Sequence, residues 1–266
     1  MSGQIAATLD PVVAWVDDSG LGSIYSARSW NDLAEERSKE WWIADGTEEE
    51  YARLRSYLND TGLMDDYRIA ERYIEQLPGT ALAVADLAAG IGWTSSLLSR
   101  LRNVASVHAV DISRHRLELL FPQAIHMFEG DAAKLKRHLG SFYDLGFASD
   151  SMDAVLLSAA FHHASNPLRL LHEVDRVLKP GGHLVLIGEN FIGPTAIFRR
   201  IIRKLLIERR WCTNFYELFP SDDDWGDHYY RVSDYYFFLQ MVGYKLVKVS
   251  VQRKQTVAVI AAKSSR

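Results

Sequence analysis

A chain of 266 residues, 48% hydrophobic and 24% charged, has the composition of an ordinary globular protein and can form one large domain or two small ones. Its net charge of −4 supplies no global basic field, which argues against wholesale nucleic-acid binding. One cysteine, Cys212, excludes an internal disulfide framework and any Cys-x-x-Cys metal site.

The N-terminus lacks the basic start and continuous apolar stretch of a signal peptide, and no apolar run approaches the ~18 residues of a membrane span. The expectation is a cytoplasmic protein. Residues 1–78 read as a helical, aromatic-rich extension. Ser29-x-x-Asp32 predicts one helix start, and Thr47 followed by three glutamates predicts another. Tyr67, Ile69, Ala70, Tyr73, Ile74 and Leu77 recur at helical intervals and stop at Pro78-Gly79.

From residue 79 short apolar runs alternate with amphipathic stretches. Strands are predicted at "ALAVAD" (81–86), "SVHAVD" (106–111), "AIHMFEGD" (124–131), "MDAVLLS" (152–158) and "HLVLIGE" (183–189). Helices are predicted at 94–102, 113–120, 132–139 and 166–178, the last opened by Asn166-Pro167 and closed by "KPGG". Such alternation implies an α/β fold, a doubly wound sheet with helices on both faces. Two final strands, "YKLVKVSVQ" and "TVAVIAAK", are too close for a parallel crossover, so a mostly parallel seven-stranded sheet carries a reversed C-terminal strand.

The alternation is interrupted at about 191–239, where a basic amphipathic helix (195–210), an acidic loop and many aromatics read as a lid insertion over a small acceptor. The helix has a second reading, peripheral contact with an anionic membrane surface, which is not the favoured one. Nothing in the sequence fixes an oligomeric state.

"DLAAGIGW" (86–93) places a glycine turn between the first of these strands and a helix, the usual arrangement for binding a nucleotide. Gly90 and Gly92 let the backbone turn sharply and approach a ligand. Asp111 ends the next strand, where an acid can accept from ribose hydroxyls, and Asp131 ends the third, within reach of an adenine amino group. Asp86 separates two cofactors. It would repel the pyrophosphate of NAD but attract the ammonium and sulfonium of S-adenosylmethionine.

These residues resemble the class I S-adenosylmethionine-dependent methyltransferases, of the broad small-molecule group. "VADLAAGIG" is similar to their glycine motif with Ala88 in the first glycine's place. "AVDIS", "EGDAA" and the stretch from "DSMDAVLLSAAFHH" to "HEVDRVLKPGG" extend the match over about 67–190. The resemblance implies a Rossmann-like methyltransferase fold and S-adenosylmethionine as cofactor, leaving as S-adenosylhomocysteine. It implies that Asp86, Ala88, Gly90 and Gly92 line the methionine end and that Asp111 holds the ribose. Ile112 would pack on adenine, Asp131 and Ala132 would bind its edge, and Ser158 would lie near the transferred methyl.

His162, His163 and His228 are the candidate general bases, since imidazole is the side chain suited to taking a proton at neutral pH, and the choice among them is open. Trp41, Trp42, Glu189, Tyr229 and Arg231 are the candidate substrate contacts. No carboxylate or cysteine stands at ligand spacing from the histidine pair, so no metal is expected. The reading is methyl transfer to a small-molecule acceptor, oxygen before carbon or nitrogen. An NAD-dependent oxidoreductase and a non-catalytic cofactor-binding protein are the alternatives.

Overall fold

The computed structural model describes residues 9–16, 43, 45–221, 226–252 and 256–264. Among the described residues, eight strands form one sheet: β1 (Val13–Ala14), β2 (Leu82–Leu87), β3 (Val104–Asp111), β4 (Leu135–Leu139), β5 (Met152–Ser158), β6 (Leu178–Asn190), β7 (Lys245–Val251) and β8 (Thr256–Ala262). Their spatial order is β1-β4-β3-β2-β5-β6-β8-β7. All neighbours are parallel except the two pairs made by β8. The α/β fold and the reversed strand are as expected. The eighth strand is added by the N-terminal segment, whose Val13 and Ala14 pair with His138 and Leu139 at the sheet edge, so that segment is not wholly helical.

Both faces of the sheet are covered, as a parallel sheet requires. Val84, Val107, Ala109, Leu156, Val185, Ile187 and Ile260 point to one face, and Ala85, Leu87, Val110, Val155, Leu157, Leu184, Leu186 and Val259 to the other. The first face packs under α1 (Glu48–Thr61), α2 (Leu63–Ile74), α3 (Trp93–Leu98) and α4 (Phe121–Phe128). The second packs under α5 (Pro167–Val177) and, beyond α6 (Pro194–Arg203) and α7 (Phe215–Leu218), α8 (Val232–Val242).

Local signals fix several ends. Thr47 and Glu50 close a reciprocal capping box at the start of α1. Gly62, at φ 87°, ends α1 and lets α2 begin in the next residue. Asn166 caps α5 by accepting from the Arg169 amide, with Pro167 in the first turn.

The third parallel strand is not where the sequence reading put it. "AIHMFEGD" is helical through Phe128, and the strand is Leu135–Leu139, inside the predicted helix 132–139. The cause is the apolar series Leu117, Leu120, Phe121, Ala124, Ile125 and Phe128, all buried at three- and four-residue spacing. Pro122 does not break this helix. A π turn, Arg116–Leu120, precedes it, and the Leu117 carbonyl accepts instead from the Arg137 guanidinium at 2.7 Å. Asp131 therefore ends no strand.

The basic helix of the insertion is not packed over the cavity, although Tyr230 and Tyr235 of the same segment are buried against the second sheet face. α6 and the π turn after it, Lys204–Glu208, bury no residue, and Phe198, Leu206 and Ile207 are exposed.

Candidate active site

β2 has β3 on one side and β5 on the other, so the chain leaves its two successors in opposite directions and opens a crevice at the carboxyl ends of the strands. A cavity of about 690 Å³ lies there. The residue after β2 (Ala88), the last residue of β3 (Asp111), the residues after β4 (Gly140 to Tyr143) and the ends of β5 (Ser158) and β6 (Asn190) all line it.

The turn after β2 holds three residues in the left-handed region: Ala88 (φ 52°), Gly90 (φ 56°) and Gly92 (φ 82°). A side chain at Gly92 would enter the Phe121 ring, so glycine there is a matter of space as well as of φ. Ala88 and Gly90 line the cavity, whereas Gly92 begins α3 beneath it. Asp111 ties the turn to the neighbouring strand. Its carboxylate accepts from the Gly90 amide at 2.7 Å and the Ser113 amide at 2.8 Å. Ile112 also faces the cavity.

Asp86 lies fully buried under the turn rather than on the cavity surface. Burial pushes its carboxyl up to about 6, against the lowering effect of hydrogen bonds from the Ser95 and Thr94 hydroxyls at 2.5 and 2.6 Å. Its Oδ1 has no hydrogen-bond partner among the described residues.

Asp131 and Ala132 do not reach the cavity. Asp131 caps a short turn, accepting from the Ala133 amide, and its own amide donates to the Ser99 hydroxyl oxygen. Because the strand lies later in the chain, the residues at its end are Gly140, Ser141, Phe142 and Tyr143, which the sequence reading missed. The helical spacing of Leu117 to Phe128 was the available signal: it moves the strand, and with it the cavity edge.

Ser158 lines the cavity, and its buried Oγ has no partner among the described residues. Just beyond, the single turn Phe161–His163 hangs on Glu189. This carboxylate accepts from the amides of Ala160, Phe161 and His162 at 2.9, 2.9 and 3.1 Å, and pairs with His162 Nδ1 at 2.8 Å. Burial would raise the Glu189 carboxyl, but His162 and the amides outweigh it and hold the group below its ordinary value. Burial would likewise lower His162, and the Glu189 charge reverses that and raises it. Glu189 thus stands behind His162 and does not itself line the cavity.

His162 and His163 both line the cavity, and Asp227 from the insertion joins them there, 3.0 Å from His163 Nδ1. His228 does not line it, but its amide donates to the His162 carbonyl at 2.8 Å and so helps hold Asp227 in place. Arg231 pairs with Asp234 and lies over the Phe215 ring, while Tyr229 stands beside Phe219; neither lines the cavity. Trp41 and Trp42 lie outside the described residues. Leu54, Tyr57, Leu58 and Thr61 of α1 and Leu63 of α2 supply a largely apolar side instead.

Residues 85–186 match a family described as a methyltransferase domain. The chain is 30% identical over 142 residues to the biotin biosynthesis bifunctional protein BioHC of Teredinibacter turnerae, covering 49% of this chain and 24% of that one. It is 35% identical over 122 residues to a demethylmenaquinone methyltransferase of Clavibacter sepedonicus, covering 44% of each. The chain thus spans less than half the length of these curated relatives. A SAM-dependent methyltransferase from Aquifex aeolicus has the same fold, with a TM-score of 0.55 at 18% identity over 80% of this chain and 96% of that one.

Residues 85–186 are thus similar to a methyltransferase domain, and the chain has the fold of a solved S-adenosylmethionine-dependent methyltransferase. The residues present fit that cofactor. A left-handed glycine turn on the cavity edge, an acid beneath it and an unpartnered buried hydroxyl on the cavity wall suit a cation-bearing nucleoside better than a pyrophosphate.

Proposed function

We propose that the protein transfers the methyl group of S-adenosylmethionine to a small-molecule acceptor, with oxygen as the nucleophile, in the cytoplasm. The observation that carries this reading is the buried Asp86 under a glycine turn that Asp111 clamps at the mouth of a switch-point cavity. The cofactor supplies an electrophilic methyl on a sulfonium, already a good leaving group. The protein's part is then alignment and exclusion of water.

Ala88, Gly90, Asp111 and Ile112 hold the nucleoside and its methionine tail, with Ser141 and Phe142 taking the place first given to Asp131 and Ala132 beside the base. Asp86 acts through the turn, its charge favouring a cation above it. The acceptor lies between the α1–α2 side and the polar wall of Ser158, His162, His163, Asn190 and Asp227, which assists loss of its proton. Of the N-terminal extension, α1 and α2 cap the acceptor side of the cavity, while β1 joins the sheet edge. A relative named for demethylmenaquinone, a small molecule, supports this acceptor class.

Calorimetric titration with S-adenosylmethionine, S-adenosylhomocysteine and NAD tests the reading. The expected result is binding of the two sulfur compounds, weakened ~100-fold or more in Asp111→Ala, and no binding of NAD. Binding of NAD alone would overturn it. Cofactor binding with no turnover over a broad acceptor screen would leave a non-catalytic binding protein.

A further inference from the structure

We propose that His162, His163 and Asp227 form a binding site for one divalent first-row transition-metal ion in the cavity wall, where the ion takes an oxygen of a hydroxyl-bearing acceptor. Each residue offers one ligand atom, and the three atoms lie within 4.8 Å of one another. All three residues line the cavity. The site is assembled by two separate parts of the fold. The histidines come from the single turn after β5, and the carboxylate comes from the insertion, held by the His228 amide on the His162 carbonyl.

Two imidazoles and one carboxylate are a donor set that suits zinc, iron(II) or cobalt(II), and three protein ligands leave coordination positions open to a substrate. The second layer is also present. Glu189 is fully buried, pairs with His162 Nδ1 at 2.8 Å and thereby leaves Nε2 as the coordinating atom. A carboxylate behind a ligating histidine fixes the ring and raises its basicity toward a metal. Three backbone amides fix Glu189 in turn, so the backing group is rigid.

The proposal rests on the acceptor lying against this wall and says how the wall works. A hydroxyl bound to a dication loses its proton to water far more readily than a free one. The O–CH3 bond then forms as the S–CH3 bond breaks, and S-adenosylhomocysteine leaves with the electron pair.

The test uses untagged full-length protein, stripped with a chelator and titrated with Co²⁺ and Zn²⁺. Calorimetry, the visible absorption of bound Co²⁺ and elemental analysis after dialysis are the readouts. One equivalent is expected, with affinity lowered ~100-fold or more in His163→Ala and in Asp227→Asn, and ~10–100-fold in Glu189→Gln. Absence of binding, or binding whose strength and stoichiometry survive both His163→Ala and Asp227→Asn, would overturn the site.

S-adenosylmethionine is titrated into the same samples. Binding of the cofactor by the variants confirms that they are folded, and cofactor binding without metal binding in the wild type sinks the metal proposal alone. Metal binding that follows the predicted variants, without cofactor binding, upholds the site and sinks the methyltransferase reading.

Discussion

The two sides of the cavity are assembled differently. The side proposed for the cofactor takes Ala88 to Ile112 from one strand–turn–helix–strand run, with only Ser141 and Phe142 added from after β4, and its turn is held from within that run: Asp86 by Thr94 and Ser95, Gly90 by Asp111. The opposing side gathers Leu54, Tyr57 and Leu63 from the N-terminal helices, His162 and His163 from after β5, Asn190 from β6, Asp227 from the insertion and Thr256 from the reversed strand. A binding loop whose contacts are local can be kept intact while its surroundings change. A wall made of distant segments can be altered by shifting any one of them. Under the proposed function, the first arrangement would preserve a cofactor and the second would admit different acceptors.

Four substitutions can break or sharpen that comparison. The largest effect is expected for Gly92→Ala. The new Cβ enters the Phe121 ring at a backbone φ of 82°, and the cost is about 3 kcal/mol or more of stability, with loss of cofactor binding. Denaturant unfolding and calorimetry measure both. A stable, binding-competent variant would show that the turn is not a rigid local unit.

Asp227→Ala, on the other side, should lower methyl transfer ~100-fold or more while leaving S-adenosylmethionine affinity within about twofold. Steady-state kinetics beside calorimetry separates the two. Parallel loss of cofactor affinity would mean that the sides are not independent.

Asp86→Asn comes next, through pH. The folded carboxyl titrates near about 6 and the unfolded one at 3.8, so its ionisation opposes folding. Stability from this group is present below the unfolded value and is lost as pH rises through about 6. The variant without cofactor should therefore be roughly 1–3 kcal/mol more stable than the wild type at pH 7, with the gain gone near pH 4. Its cofactor affinity should fall as the charge is lost. A pH-independent difference would place the effect in packing.

The smallest effect belongs to Ala88→Gly. Relief of the left-handed strain at φ 52° should stabilise the protein by about 0.5–1 kcal/mol, less the added freedom of the unfolded chain. Thermal unfolding detects it.

The side proposed for the cofactor was legible in the sequence because its signals act over a few residues. The glycine turn, the acid nineteen residues past Gly92 and the caps at Thr47 and Asn166 are local stereochemistry, and the structure places them in those local roles. Asp131 shows where that logic fails. "AIHMF" is apolar enough for a strand, and Pro122 looks like a helix stop. Only the longer series from Leu117 to Phe128 distinguishes helix from strand, and with it Gly140 to Tyr143 become the end of the third parallel strand.

The expectation of no metal rested on the absence of a carboxylate near His162 and His163 in the chain. That premise does not survive folding, since the insertion returns Asp227 to within 3.0 Å of His163.

By itself, the sequence determined the α/β class, the reversed strand and the glycine turn, because hydrophobic period, chain connectivity and glycine stereochemistry are short-range constraints. The tertiary structure alone decided the eighth strand, the position of the third parallel strand, the backing of His162 by Glu189 and the meeting of His162, His163 and Asp227. Those depend on which distant segments close upon one another, and long-range closure is set by packing of the whole core, to which no local pattern corresponds.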